Sequence, residues 1–600
     1  MLQSTYPAPL TPAALPRRIM TAVAVATLGL VVVGLVARND SWIYSRIGWL
    51  DPWTYVGFGY SYDKPAFDAD DYKLARLPWI LVEFYTRRVF APVAAQYALQ
   101  LGLLFLEGIF FFLAIRRLLG WAPALVGAAF LVTIAFAHGA GGADYNTTLS
   151  GPLYALAFFA LTAAAASERG LPPLLFGISF GLLLHTNFLY LNLAPALIIQ
   201  FAAIRRQAAK LFWSRGTVRF VLYSMLGVLV ATVGLAIVNR TYGRDWLFFA
   251  NLFNFATDFL LGIRSQDPWR ESWASRWYDS QFYPGLLAAA FVVSVALLFA
   301  ASMNADTWTK RLPVINLCAQ YFCLILLWTF WQTMGQTALQ PYYYAYPLWI
   351  PLAGLVSATI AWSLREPAGA PGMTIVHRIA LAAVTVVAFV APYSVFEALN
   401  WPLRHWSANP FSRTVILYLA VAAVGLLLAS LRARVGVFVV VLLLGAANAL
   451  SNDNSANYRP ARCVDARDAQ IAAIAAQHWI ASFDPDFSRP IFVWRNPDNG
   501  DAVSMSSCSL VPARFFGDSL SYSGWRFLDD ARPFGAIKDI SQERLRSLIP
   551  HDPIVVLVTE DAGAAEQIRS RFAELNMHFG PTESVVIYQG AVKVPLFVLR

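Results

Sequence analysis

The sequence predicts a polytopic all-α membrane bundle of about 13 transmembrane helices, followed by a soluble C-terminal α/β domain. Hydrophobic residues make up 58% of the 600 residues, charged residues only 14%, and the mean hydropathy is +0.52. Soluble domains contain about 25% charged residues, so this composition indicates lipid as the main solvent. Apolar runs recur up to residue 450, and the chain then becomes polar. We therefore expect a transmembrane domain over residues 1–451 and a second domain over residues 452–600.

The apolar runs predict the individual spans, because a membrane-crossing helix needs about 20 largely apolar residues. The first run is long and has no small-residue cleavage site, so it is interpreted as an uncleaved anchor. The stretch 171–204 can also be divided differently. The runs cover residues 19–36, 97–115, 121–137, 152–166, 171–184, 188–204, 218–238, 284–302, 312–331, 346–364, 379–398, 414–431 and 435–450.

The basic residues predict the orientation of these spans. Loops 138–150 and 332–345 contain no Lys or Arg, whereas the loops on the other side carry basic pairs. The positive-inside rule therefore predicts a cytoplasmic N-terminus in a bacterial-type inner membrane, with the C-terminal domain outside. The pairs also account for the net charge of +9, and no basic stripe indicates nucleic acid. They are Arg17/Arg18, Arg116/Arg117, Arg205/Arg206, Lys310/Arg311, Arg365/Arg378 and Arg432/Arg434.

Two outer loops, at residues 37–93 and 239–283, are unusually long. Connections longer than about 15 residues are uncommon unless they have a function. Trp- and Tyr-rich amphipathic stretches in both loops predict helices that lie on the membrane surface. No internal repeat is visible, which weakens a transporter interpretation.

The polar tail predicts a small α/β domain. Helices are expected at 465–482 and 562–576, and strands at 490–495, 553–559, 584–588 and 594–599. Cys463 and Cys508 are the only cysteines in this domain. Outside the cytoplasm they are expected to form a disulfide.

The first outer loop contains candidate site residues. Asp51 lies in the segment Gly-Trp-Leu-Asp-Pro-Trp at 48–53, where Trp53 would hold it at headgroup depth. The alternative is a plain turn or helix-cap residue. Lys73 and Arg76 are three residues apart, so on a helix they share one face and can clamp a phosphate. The alternative is that both side chains only snorkel at the interface.

The second outer loop adds Asp144 and Tyr145, after a glycine-rich stretch that permits close backbone approach. Asp144 can merely favour a helix N-terminus, but the functional interpretation is that it meets Asp51 in one outward-facing cavity, as metal ligand and base. His185, near an outer helix end, is a further candidate, because an ionisable residue within a membrane span is costly and is usually functional. The acidic cluster at 68–71 has a D-x-D spacing, but in an outer loop it is interpreted as a solvated charge run.

These motifs and the large odd span count resemble the GT-C superfamily of lipid-sugar-dependent glycosyltransferases. The group includes the oligosaccharyltransferase catalytic subunit, protein O-mannosyltransferases and bacterial aminoarabinose transferases. Leu-Asp-Pro-Trp at 50–53 and Ala-Asp-Tyr-Asn at 143–146 are similar to the first-loop and second-loop motifs of oligosaccharyltransferases. Arg-Leu-Pro-Trp at 76–79 resembles the Arg-x-Pro element of bacterial mannosyltransferase-like membrane proteins. The resemblance covers residues 19–450, and the absence of a WWDYG-type motif argues against an oligosaccharyltransferase proper.

The resemblance implies an inverting transfer of a sugar from a polyprenyl-phosphate donor to a glycan, lipid or protein acceptor on the outer side. Asp51 is then the base, and Asp144 is the second carboxylate and the candidate ligand of a divalent metal, Mg²⁺ or Mn²⁺. The donor phosphate is expected at Lys73, Arg76 and Arg270. Trp53, Tyr145 and His185 are expected to line the substrate cavity.

Two other function classes stay open. A transporter or flippase of lipid-linked glycans would be expected to show paired intramembrane charges and repeats. A non-catalytic membrane scaffold would use its outer domain to bind a partner. Convergence of Asp51 and Asp144 in one pocket distinguishes the transferase from both.

Overall fold

A computed structural model describes the first part of the chain most fully. The described residues there are 17–36, 43, 50–63, 72–137, 145–166, 169–207, 214–253 and 257. Further along they are scattered positions within 313–361, residues 479 and 482, and residues 491–495, 525–527, 554–558, 562–574, 576–589 and 592–600.

Helices dominate the described residues before position 253. Proline lies in the first turn of several of them, where its missing N–H leaves no helical hydrogen bond unmade. Pro78 and Pro92 have this position in α3 and α4, and Gly120 ends α4 with a φ of 94°. Short 3-10 helices cover Tyr72–Ala75 and Phe188–Leu193. The α-helices are α1 (Arg17–Gly34), α2 (Leu50–Ser61), α3 (Leu77–Val89), α4 (Pro92–Leu119), α5 (Trp121–Ala137), α6 (Thr147–Ala166), α7 (Leu171–Thr186), α8 (Ala194–Gln207) and α9 (Arg215–Thr241).

Four described helical stretches are long and apolar enough to cross a bilayer: Val93–Leu119, Thr147–Ala165, Phe188–Arg206 and Arg215–Thr241. Shorter apolar helices cover Ile19–Gly34, Trp121–Thr133 and Leu171–Thr186. The first seven predicted spans therefore coincide with apolar helices. The total of about 13 stays a prediction, because the spans at 284–302 and 379–450 lie outside the described residues and those at 312–331 and 346–364 are described only at scattered positions.

The two ends of the helix bundle differ in charge. Short connections make successive helices from α4 to α9 run in alternate directions, so the ends of α4, α6 and α8 lie together. Arg116/Arg117 and Arg205/Arg206 are in the last turns of α4 and α8. Arg116 also donates a hydrogen bond to the Thr21 hydroxyl near the start of α1. We call this the basic end, and the opposite end carries the starts of α4, α6 and α8.

Helices α7 and α9 pack closely because glycines face each other at their crossing. A Cβ atom on Gly177 would lie 2.0 Å from the carbonyl oxygen of Ser224, and one on Gly227 would lie 2.3 Å from that of Leu174. Close approach of backbones through small residues is a common way for helices to associate in lipid, where the hydrophobic effect does not drive them together. The outward side of α9 is lined by exposed apolar residues such as Leu222, consistent with a lipid-facing helix.

The C-terminal part contains a mixed five-stranded sheet in the order β2-β1-β3-β5-β4. β1 pairs in parallel with β2 and β3, and β5 pairs antiparallel with β3 and β4. The predicted strands and the helix at 562–576 fall on β1, β3, β4, β5 and α10, whereas β2 was not predicted. The helix at 465–482 and the domain boundary at 451 lie largely outside the described residues. The elements are β1 (Ile491–Arg495), β2 (Trp525–Phe527), β3 (Ile554–Val558), α10 (Ala562–Glu574), β4 (Glu583–Gln589) and β5 (Val592–Leu599).

Candidate active site

Arg76 lies at the junction between the first 3-10 helix and α3. Its backbone N–H donates to the carbonyl oxygen of Lys73 at 3.0 Å, and its own carbonyl accepts from Trp79 at 3.1 Å. Arg76 is therefore the N-cap of α3 rather than a residue within a continuous helix shared with Lys73. Lys73 and Arg76 are thus joined by a single 3-10 turn, and their common clamp on a phosphate stays a prediction. Lys73 is 7% exposed, and Arg76 is half-buried.

The guanidinium of Arg76 is held by three side chains, one from α2 and two from the residues just before α6. Nη1 donates to the Tyr55 hydroxyl, to the Tyr145 hydroxyl at 3.4 Å and to Oδ1 of Asn146 at 3.3 Å. Its Cζ lies 5.7 Å from the centroid of each tyrosine ring, within cation–π range. The two rings meet edge to face, with centroids 5.7 Å apart. We call Arg76, Tyr55, Tyr145 and Asn146 the Arg76 cluster.

The Arg76 cluster joins the two segments that contain the predicted carboxylates. Asp51 is in the first turn of α2, one helical turn before Tyr55. Asp144 directly precedes Tyr145 in the sequence. The side chains of Asp51 and Trp53, and the whole of Asp144, lie outside the described part of the structure. Their convergence in one cavity therefore stays a prediction, although their sequence neighbours are in contact.

Asn146 connects this cluster to α7. Its amide Nδ2 donates to the carbonyl oxygen of Thr186 at 2.8 Å, and its side chain is fully buried. One turn further along α6, the Ser150 hydroxyl lies 3.0 Å from that of Thr186. The start of α6 and the end of α7 are thus fixed together beside Arg76, at the end of the bundle opposite the basic end.

His185 faces a different set of neighbours. Its Nε2 lies 2.9 Å from the Thr232 hydroxyl of α9, and its ring packs against Phe248 and Phe249 with centroids 5.0 and 5.8 Å away. These contacts hold the imidazole of α7 against α9 and against the segment after α9. Its assignment to the substrate cavity stays a prediction.

A second cluster of hydrogen bonds connects the start of the long outer loop 239–283 to the long outer loop 37–93. The Tyr62 hydroxyl, just beyond α2, donates to Oδ1 of Asn239 at 2.5 Å, and Asn239 donates to the Asp245 carbonyl at 2.7 Å. Arg244 donates to the Tyr62 carbonyl at 2.8 Å and lies over its ring. Burial raises the pKa of Tyr62 above its ordinary value, so this phenol keeps its proton and remains a donor well into the alkaline range.

A buried ion pair packs α3 beneath α2. Arg87 and Glu83 lie 3.5 Å apart with side chains 1% and 0% exposed, and Arg87 also donates to Gln96 of α4 at 3.0 Å. A Cβ atom on Gly59 of α2 would lie 2.8 Å from a carboxylate oxygen of Glu83. This glycine therefore lets α2, which carries Asp51 and Tyr55, rest directly on the ion pair.

The remaining predicted site residues are not described. Arg270, Cys463 and Cys508 lie outside the described residues, so the third phosphate contact and the disulfide stay predictions. Within the described part of the chain, no group of three or more His, Cys, Asp or Glu side chains could hold a metal ion. Because Asp144 falls outside that part, the metal prediction is untested.

Sequence reasoning missed Tyr55 and Asn146. A weak signal for each was present, since Tyr55 follows Asp51 by four residues on a helix and Asn146 follows Asp144 by two. Neither spacing indicates that the side chains would meet at Arg76, because that contact depends on how α2, α3 and α6 pack.

Comparison with known proteins finds likeness in solved structures only. No protein-family model matches the sequence, and no curated protein gives a significant match. The chain is similar to ArnT from Cupriavidus metallidurans, both bound to undecaprenyl phosphate (TM-score 0.48) and in the apo state (0.44), at 14% identity over 97% of each chain. It is also similar to the oligosaccharyltransferase of Archaeoglobus fulgidus in the apo form, with a TM-score of 0.34 and 12% identity over 65% of this chain and 57% of that one. All three TM-scores lie below 0.5.

Proposed function

We propose that the chain transfers a sugar from a polyprenyl-phosphate-linked donor to an acceptor outside the cytoplasmic membrane. One observation carries the proposal. The half-buried guanidinium of Arg76 is held by Tyr55, Tyr145 and Asn146, where the segments bearing Asp51 and Asp144 meet. Transfer from a lipid phosphate needs such a cation beside a carboxylate base.

In the proposed reaction, the bond between C1 of the sugar and the phosphate oxygen breaks as the acceptor oxygen attacks C1 from the opposite face. Asp51 takes the proton of the acceptor hydroxyl, whose pKa would otherwise lie far above neutral. The electron pair of the broken bond stays on the phosphate, and its growing negative charge is stabilised by Arg76, with Lys73 and Arg270. Asp144 is the second carboxylate, and its oxygen atoms suit Mg²⁺ or Mn²⁺ if a metal takes part.

The proposal also states on which side of the membrane the reaction takes place. The Arg76 cluster lies at the end of the bundle opposite the arginine pairs of α4 and α8, and the positive-inside rule assigns those pairs to the cytoplasm. The donor and the glycan, lipid or protein acceptor are therefore proposed to meet at the outer leaflet of a bacterial-type inner membrane. The N-terminus is proposed to be cytoplasmic and the C-terminal domain external.

The test is release of polyprenyl phosphate by the purified full-length protein in lipid nanodiscs. Polyprenyl-phosphate sugars are supplied with extracts of envelope glycans, lipids and proteins, and mass spectrometry follows the free polyprenyl phosphate and the acceptor mass. We expect acceptor-dependent release that falls by about 10²-fold in Arg76→Ala, the scale of losing one transition-state hydrogen-bond donor. Movement of intact donor across a bilayer without release would support the flippase alternative. Partner binding with neither activity would support the scaffold alternative.

A further inference from the structure

We propose that Asn146 is a positioning residue that orients the guanidinium of Arg76 toward the donor phosphate. The proposal deepens the function proposed above and rests on it. Among the three side chains that accept from Arg76, Asn146 also makes a described side-chain hydrogen bond to another helix, α7.

The two ends of the Asn146 amide have different partners. Oδ1 accepts from Nη1 of Arg76 at 3.3 Å, and Nδ2 donates to the Thr186 carbonyl at 2.8 Å. The reverse amide orientation would direct a donor at the guanidinium and an acceptor at a carbonyl, so the hydrogen-bond network allows only this one. Because the amide is planar, the bond to Thr186 fixes the direction from which Arg76 is contacted.

The backbone of Asn146 is also fixed. Its carbonyl oxygen accepts from the Ser150 hydroxyl at 3.0 Å and from the Ser150 N–H at 3.3 Å. The Ser150 hydroxyl in turn lies 3.0 Å from the Thr186 hydroxyl. Asn146 therefore sits in a fully buried contact between α6 and α7, and its position follows the packing of those helices.

The tyrosines of the Arg76 cluster have a different role. A phenolic hydroxyl rotates about its C–O bond and can present a lone pair in many directions, whereas the Asn146 carbonyl oxygen cannot. The tyrosine rings flank the guanidinium at 5.7 Å, and the amide sets the direction of its N–H bond. A guanidinium binds phosphate through N–H bonds of fixed direction. A guanidinium rotated out of position therefore loses hydrogen bonds to the phosphate even though its charge is unchanged.

The experiment measures the preference of the full-length protein in nanodiscs for long-chain polyprenyl phosphate over the matching polyprenol. The ratio of the two dissociation constants isolates the phosphate contribution and does not depend on which sugar is transferred. We expect the wild-type protein to prefer the phosphate. In Asn146→Asp, a carboxylate faces the Thr186 carbonyl and competes with the phosphate for Arg76, so the preference should fall by about 10-fold. Asn146→Ala should lower it by about 3-fold, on the scale of one hydrogen bond.

Ser150→Ala is the matched control, because it removes the hydroxyl bonds of the same α6–α7 contact, keeps the Ser150 N–H bond to the Asn146 carbonyl and does not touch Arg76. It should keep the wild-type preference, and so separates positioning of Arg76 from loss of helix packing. In the Arg76→Ala background, Asn146→Ala should cause no further loss, since its effect acts through Arg76.

Three results would count against the proposal, and they have different meanings. A wild-type protein without preference for the phosphate, or an Arg76→Ala variant that keeps it, would overturn the proposed donor site and this inference with it. An Arg76→Ala variant that loses the preference, with both Asn146 variants at the wild-type value or with additive losses in the double variant, would overturn the positioning role alone. If Ser150→Ala and Asn146→Ala lowered the preference for the phosphate equally, the role of Asn146 would be limited to packing α6 against α7.

Discussion

Three neutral oxygen atoms lie around Nη1 of Arg76, although a nitrogen of this kind carries only two hydrogens. The acceptors therefore share the donor, and no single hydrogen bond holds it alone. These three acceptors are neutral, so they orient the half-buried guanidinium without neutralising its charge, which can still attract an incoming anion. This is the property that a phosphate clamp requires at the residue scale.

The clamp assignment predicts that Arg76→Lys impairs the enzyme. A lysine keeps the charge but loses the planar fork and the stacking between two tyrosine rings. We expect kcat/KM for the polyprenyl-phosphate donor to fall by about 10-fold or more, a change of about 1.4 kcal/mol in transition-state stabilisation. Arg117→Lys, an exposed position at the basic end, is the control and should leave the rate unchanged. Equal rates in Arg76→Lys and the wild type would show that the planar guanidinium of Arg76 is not needed to bind the donor phosphate.

The sequence predicts Arg76 but not the residues that hold its side chain in place. The spacing of Arg76 to Lys73 and its place before Leu-Pro-Trp predict it as a site residue, and both are local features. Asn146 and Tyr55 are polar residues among many in the outer loops, and their role depends on a contact between chain segments about 70 and 21 residues away from Arg76 in sequence. Hydrophobic periodicity carries no information about which polar side chains meet across such distances.

At the scale of elements, α2 and α3 form one unit over a buried ion pair. Glu83 and Arg87 are one turn apart on α3, nearly without solvent contact, and Gly59 of α2 leaves room for the carboxylate. An isolated buried charge is costly, so each partner of this pair requires the other. The pair thereby fixes the Gly59 end of α2, about two turns beyond Asp51.

Removing one partner should therefore destabilise the outer loop. Glu83→Gln leaves the Arg87 charge buried, and we expect the free energy of unfolding to fall by about 3–5 kcal/mol. Arg88→Gln breaks the neighbouring Arg88–Asp63 pair, in which the side chains are 53% and 24% exposed, and should cost at most about 1 kcal/mol. Denaturant unfolding in detergent, followed by the fluorescence of the loop tryptophans, compares the two. Similar losses in both variants would contradict the account of the buried pair.

The helix boundaries show what local signals can and cannot predict. The apolar stretch 171–204 left its division open, and the structure divides it at Asn187, whose side chain accepts from the Leu189 N–H at 3.0 Å and caps a 3-10 helix. That signal was present, since asparagine favours such caps. The start of α3 after Arg76 has a signal in Pro78, because proline is preferred in the first turn of a helix.

At the scale of the whole molecule, composition and basic pairs predict a membrane bundle with one orientation. Impermeant maleimide applied outside intact cells should label Ala91→Cys, which lies exposed between α3 and α4. It should label Arg169→Cys, exposed between α6 and α7, only after the membrane is opened. The unsubstituted chain gives the background of the native cysteines. The reverse pattern would place the Arg76 cluster in the cytoplasm and contradict the proposed sidedness.

Sequence predicts a structural feature best when that feature depends only on the residues of a single helix. About 20 apolar residues predict a span from local sequence alone, and the first seven predicted spans coincide with apolar helices. The strand β2, only three residues long, was missed because its run Trp-Arg-Phe has no length from which a period can be read. Its place at the edge of the sheet depends on parallel pairing with β1, a contact between distant parts of the chain.

The most direct test of the central claim is the transfer rate of purified Asp51→Asn protein. Asparagine has nearly the same shape as aspartate but cannot take the proton of an acceptor hydroxyl. The account predicts an unchanged unfolding temperature, donor binding close to that of the wild type, and turnover lowered by about 10²-fold or more. Wild-type transfer by well-folded Asp51→Asn protein would contradict it.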